Sequence, residues 1–156
     1  MSANNNIDLI TPVPAASTQF NATTAAVTGD GTSYDIAFNT INFDTTGSFA
    51  AGNYTVPQTG KYYIKCDIYM GGLAAGHTLG ELRIGKVGNY FYCVNNPGVM
   101  MTFNNRASIA TAGIMNLTAG DVINANITVS NGALAVTMFG AAAVWYARLE
   151  IRYLNV

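Results

Sequence analysis

The sequence predicts an all-β fold, a sandwich of two sheets, on three observations. Short apolar runs recur along the 156 residues, separated by Gly, Asn, Asp and Pro. The best-patterned runs alternate with a period of two, which puts one side of a strand in a core and the other outward. No window of a dozen residues carries a helical stripe with caps, and the Ala-rich pieces at 22–26 and 141–143 are short and hemmed by Thr or Gly. Many short strands at regular spacing mean a sandwich or a barrel.

Taken in order, residues 1–20 read as a polar N-terminal arm, extended or flexible, with Pro12 and Pro14 and little periodicity. Its apolar residues Ile7, Leu9 and Ile10 are the natural attachment points, and residues 21–156 form the head. Tyr34 to Phe38 alternates and leads to Ile41 and Phe43. Lys61 to Met70 alternates best. Tyr62, Ile64, Cys66, Ile68 and Met70 share the apolar face, and Lys61, Tyr63, Lys65, Asp67 and Tyr69 the other. Strands are further expected over Leu79 to Val87, Tyr90 to Val94, Val99 to Phe103, Ala107 to Leu117, Val122 to Val129, Leu134 to Phe139 and Val144 to Leu154. In the last, Trp145, Ala147, Leu149, Ile151 and Tyr153 oppose Tyr146, Arg148, Glu150 and Arg152. The Asn131-Gly132 pair between two apolar runs predicts a hairpin.

Composition sharpens the picture. The length fits one domain able to bury roughly two-thirds of its chain surface. Half the residues are hydrophobic and only 10% are charged, against about a quarter in an average domain, which argues against disorder. A net charge of −1 offers no basic field for nucleic acid. The first sixty residues hold four aspartates and no Lys or Arg. The N-terminus shows no charged and apolar secretory pattern, and Ala133 to Ala147, broken by Thr137 and Gly140, is too short to span a bilayer, so no membrane insertion is expected. Cys66 lies on an apolar strand face and reads as a buried free thiol, not half of a bridge with Cys93.

Phe49, Pro57, Gly60, Tyr62 and Ile64 follow the pattern of a Phe ahead of Pro-x-x-Gly-x-Tyr-x-Phe, with Ile64 in the last place. Leu117-Thr118-Ala119-Gly120-Asp121-Val122 looks like the start of a Leu-x-x-Gly-Asp-x-Val turn into a late strand. Over roughly residues 36–156 the chain resembles the jelly-roll superfamily of tumour necrosis factor and the globular head of complement subcomponent q, and in composition it looks closer to bacterial and phage members than to animal cytokines. The resemblance implies a jelly-roll β-sandwich and a homotrimer. No Gly-X-Y collagen stalk precedes the head.

Catalytic chemistry finds little footing. His77 is the one histidine, in a Gly-rich segment, and no Gly-x-Ser-x-Gly elbow accompanies it. Nothing nearby in sequence activates Cys93. Glu81 and Glu150 are best used in ion pairs with Arg83, Arg148 or Arg152, and Asp30, Asp35 and Asp44 lack the spacing of a calcium loop. No enzyme, metal or cofactor is expected.

Outward tyrosines on one sheet point to an interface, so Tyr63, Tyr69, Tyr146, Arg148 and Glu150 are the trimer-interface candidates. The expected function is a virion structural protein assembled in a host cytoplasm. It would be a homotrimeric capsid decoration or fibre head, tied to capsid or fibre proteins through the arm. The alternative is a host-glycan- or receptor-binding head of a phage tail fibre or a bacterial cell or spore surface. Its ligand loops would be Gly71 to Gly80 and Asn95 to Gly98, with His77, Asn95 and Asn96.

Overall fold

The alternation that begins at Lys61 is realised over twelve residues. In the computed structural model, which describes residues 12–102, 104–141 and 146–154, Gly60–Gly71 is one strand. Tyr62, Ile64, Cys66, Ile68 and Met70 are sealed from solvent while Tyr63, Lys65, Asp67 and Tyr69 are half-buried.

In chain order the strands are β1 (Ala15–Gln19), β2 (Ala22–Thr28), β3 (Ser33–Asp35), β4 (Thr40–Asp44), β5 (Phe49–Ala50), β6 (Asn53–Thr55), β7 (Gly60–Gly71), β8 (Leu79–Lys86) and β9 (Asn89–Asn95). A single helical turn, α1 (Pro97–Met100), precedes β10 (Ala107–Leu117), β11 (Val122–Ser130), β12 (Val136–Ala141) and β13 (Arg148–Leu154).

Two antiparallel sheets result. The seven-stranded sheet runs β2-β12-β7-β13-β1-β4, with β10 also on β7. Because β10 pairs along the whole of β7, from Leu117 opposite Gly60 to Ala107 opposite Met70, β13 and β12 must share β7's other edge. The six-stranded sheet runs β5-β6-β11-β8-β9, with β3 also on β11. Between the layers Tyr54, Tyr62, Phe38, Ile64, Ile68, Leu82, Ile84, Ile123, Ile127 and Met138 are fully buried. Each aliphatic truncation there should cost about 2–5 kcal/mol.

The two sequence motifs that carried the family resemblance meet at one end of this sandwich. Val56 N–H donates to Asp121 O and Gly120 N–H to Val56 O, both at 2.8 Å, and Ala119 N–H donates to Thr59 Oγ1 at 3.0 Å. Tyr62 Oη donates to Gln58 O at 2.7 Å, and burial pushes its phenol up to about 12.

Three expectations need correction. Residues 15–19 are not part of an arm: β1 lies between β13 and β4, so the boundary moves from residue 20 to about Pro14. Pro14 is itself buried, and its carbonyl accepts from Tyr153 N–H at 2.8 Å. The strand escaped notice because Ser17, Thr18 and Gln19 are all buried, so no apolar alternation marks it. Ile7, Leu9 and Ile10 lie outside the described residues. The run from Val99 opens as α1 instead of a strand. Asn96 accepts from Val99 N–H at 3.3 Å and Pro97, which needs no N–H partner in a first turn, starts the helix. Finally, Asn131-Gly132 makes no hairpin. β11 belongs to the six-stranded sheet and β12 to the seven-stranded one, so the turn, with Asn131 at φ +71°, carries the chain between layers.

Candidate interaction face and loop cluster

Because β7 is central, its outward residues organise one broad face. The register sets Glu150 opposite Lys65, Arg148 opposite Asp67 and Arg152 opposite Tyr63 on one side. On the other it sets Ala112, Ala110, Ile114 and Ser108 opposite Lys65, Asp67, Tyr63 and Tyr69. Lys65 Nζ lies 3.1 Å from Asp67 Oδ1, Arg148 Nη2 lies 3.4 Å from the same oxygen, and Arg148 Nη1 lies 3.1 Å from Glu150 Oε1. Half-buried pairs of this kind fix side chains more than they stabilise, at about 0–1 kcal/mol each.

An aromatic group closes one end of the face. Tyr69 stacks on Tyr146 with ring centroids 5.4 Å apart and an interplanar angle of 25°, and meets Phe139 at 5.4 Å on a tilt. The Arg106 guanidinium sits 4.7 Å from the Phe139 centroid. The five residues singled out in the sequence, Tyr63, Tyr69, Tyr146, Arg148 and Glu150, thus share this face, all of them half-buried. Phe139, Arg106, Ile114 and Phe43 were missed. Ile114 remains 58% exposed and Phe43 46% exposed, in register with the outward Tyr63 and Ser17. The phase of Ser108, Ala110, Ala112 and Ile114 within the strand expected over 107–117 was the available signal.

The loops expected to carry a ligand do converge, but their named residues serve the fold. His77 is buried. Its Nδ1 accepts from Ala74 N–H at 2.8 Å, which leaves Nε2 to donate to Ala133 O at 3.1 Å. The ring covers Gly132 so closely that any Cβ there would collide with it. Gly98 N–H donates to His77 O at 2.8 Å, so one residue joins the segment at 74–78, α1 and the crossing turn at 131–133. Asn96 is spent on its helix cap, and Asn95 Oδ1 is buried. None of the three is presented for binding. Among the described residues no three His, Cys, Asp or Glu side chains gather as a metal site. Cys66 and Cys93 are free thiols, Cys66 sealed in the core and Cys93 half-buried.

No family model and no curated protein matches the sequence. By structure the chain is similar to the globular domain of zebrafish complement 1qA protein, with a TM-score of 0.59 at 16% identity over 91% of this chain and 98% of that one. It is similar to murine APRIL at pH 5.0, with a TM-score of 0.61 at 16% identity over 91% and 99%. Murine APRIL at pH 8.5 gives 0.59 at 14% identity over 90% and 98%. The fold is the tumour necrosis factor and complement-head jelly roll. In this jelly roll the face built on β7 is the outer side of the seven-stranded sheet, and the His77 cluster knots the loops at one end of the sandwich.

Proposed function

We propose that the protein is a non-enzymatic, homotrimeric interaction head whose subunits meet through the outer face of the seven-stranded sheet. The observation that carries this reading is that face. A two-layer sandwich leaves it uncovered, yet it holds Ile114, Phe43, Ala110, Ala112 and the tyrosines around a self-compensated ion cluster. Charge that is already paired within one subunit can be covered by another without stranding an ion. A stable interface takes about 800 Å² per partner, roughly a tenth of the 8079 Å² this chain exposes. The trimer implied by the family resemblance supplies the stoichiometry. On this reading the charge-poor composition is that of a virion component, a capsid decoration or fibre head assembled in a host cytoplasm and tethered through the residues ahead of β1.

Native mass spectrometry of the purified chain is the test. Three chain masses are expected, and Ile114→Arg, which puts a charge on the face without entering the core, should shift the population to monomer. A monomeric wild-type chain at micromolar concentration overturns the proposal.

A further inference from the structure

The proposed interface leaves the other layer of the sandwich free, and the outer face of the six-stranded sheet points away from it. There β3 and β6 share one edge of β11 without meeting: β6 pairs at Val122 and Ile123, and β3 from Asn126 to Thr128. The gap over Asn124 and Ala125 is a pocket of about 260 Å³. Its rim is closed by the turn between β5 and β6. Gly52 lets that turn approach the backbone of Ala37, since a Cβ on Gly52 would lie 3.0 Å from Ala37 Cα.

The pocket is rich in unspent oxygen. Among the described aspartates, Asp30, Asp44, Asp67 and Asp121 each have a hydrogen-bond or ion-pair partner, and Asp35 at this pocket has none. Asn124 Oδ1, from the pocket wall, is buried without a partner. So is Asn126 Oδ1, whose residue is 8% exposed and lies opposite Asp35 in register. Asn53 spends its Nδ2 on Ala51 O at 3.2 Å and keeps Oδ1 as an acceptor. No described Lys or Arg lines the pocket, and Arg83 and Lys86 on β8 are already paired with Glu81 and Asp121. From Asn124 a bare strip crosses the sheet, with Gly85 opposite on β8 and Tyr90 opposite Gly85 on β9. A Cβ on Gly85 would collide with Asn89 O, so no other residue fits there. Tyr90 ends the strip, half-buried and edge-on to Tyr92 at 6.2 Å.

We infer that this groove binds a neutral glycan, with one hexopyranose in the pocket and the next lying across Gly85 against Tyr90. Asp35 and the asparagine Oδ1 atoms accept from sugar hydroxyls, and Asn124 Nδ2 donates to a hydroxyl oxygen. Tyr90 covers the apolar C–H face of the second ring. Two strand spacings separate Asn124 from Tyr90, roughly 10 Å, the reach of a disaccharide. The groups present select against charged ligands. An acidic sugar would bring its carboxylate to Asp35 with no free cation to receive it. A calcium ion wants about six to eight oxygens and leaves the amide N–H groups and Tyr90 unused. Hydroxyls, which both donate and accept, match both halves of an amide.

The site stands on the fold alone, and its failure leaves the trimer proposal untouched. Cellobiose, maltose and lactose are titrated into the ¹⁵N-labelled full chain into the tens of millimolar, with D-glucuronate and calcium chloride as the charged alternatives. Saturable amide shifts at residues 34–37, 51–54, 84–91 and 123–126 are expected with at least one disaccharide. Glucuronate and calcium should bind there more weakly by roughly tenfold or more. Asp35→Ala and Tyr90→Ala should each weaken the disaccharide by about tenfold. The Asp35 side chain is exposed, so Asp35→Ala should keep the parent melting temperature. Ile114→Arg, which disrupts the proposed interface on the opposite layer, should bind sugar as the parent does. The site is overturned if none of the three disaccharides gives saturable shifts in the folded chain, or if glucuronate or calcium binds as well as the sugar. Equal affinity in Asp35→Ala or Tyr90→Ala, or lost binding in Ile114→Arg, overturns it too.

Discussion

His77 shows how a residue that looks chemical in sequence becomes structural once its neighbours are known. Both ring nitrogens are consumed by backbone groups 59 residues apart, Ala74 and Ala133, and the ring fills the space over Gly132. His77→Ala removes a buried ring, opens a void and takes the side-chain partner from Ala74 N–H and Ala133 O, so it should lose about 2–4 kcal/mol in urea unfolding. Gly132→Ala, at a position open to solvent, should be comparably damaging because its Cβ meets the ring. The thiols make a second prediction at this scale. Burial pushes the Cys66 thiol far above its ordinary value, with Asp67 adding to the shift, so no thiolate is available to react. A thiol reagent at pH 8 should modify no more than Cys93 in the native chain and both cysteines after denaturation. Labelling of Cys66 in the folded protein would mean that β7 opens locally.

At the scale of elements, the sequence was legible wherever one face of a strand is apolar and the other polar. β7, β8, β9, β10 and β11 were all expected within a residue of their bounds, because Ile64, Ile84 and Ile127 alternate with charged or amide side chains. Legibility failed where that contrast vanishes. β1 buries Ser17 and Gln19 on its outward side, and β2 is built of Ala and Thr with little to separate its faces. It failed also where local chemistry beats propensity, as the Asn96 cap and Pro97 do over the β-forming Val99. The candidate face was half visible: Tyr63, Tyr69 and Tyr146 follow from phase, but Arg106 and Phe139 reach it through the close approach at Gly71, which no strand period encodes. The turn motif from Leu117 to Val122 yields a pH prediction. The Asp121 carboxyl is held below its ordinary 3.8, first by Lys86 Nζ and then by Thr118 N–H, each donating at 2.8 Å. A carboxyl lowered by folding stabilises above its unfolded pKa, about 4, and loses that contribution as pH falls through the folded value. Asp121→Asn should therefore lower stability at pH 7 and flatten the decline below about pH 4 in urea titrations. An unchanged slope would assign the acid sensitivity elsewhere.

For the whole molecule, the decisive correction is where the head begins. β1 hydrogen-bonds β13 on one edge and β4 on the other, and Ala16 and Thr18 are buried while Pro14 O holds Tyr153 N–H. A deletion of residues 1–20 would therefore pull a strand out of the seven-stranded sheet, leaving β13 and β4 with unpaired edges and opening the layer beneath Leu149 and Ile151. A sheet edge exposed in this way invites aggregation. Deletion of 1–11 stops short of Pro14 and keeps every described contact of β1. The two truncations should thus diverge: the shorter one keeps the parent melting temperature and oligomer, and the longer one is insoluble or melts far lower. If the residues ahead of β1 are the tether proposed above, the shorter truncation should also fail to co-sediment with particles while remaining a folded trimer. Full decoration by that trimer would remove the tether and place attachment on the head. A parent-like melting temperature for the 1–20 deletion would instead contradict the pairing of β1 itself, since no sandwich loses an interior strand without cost.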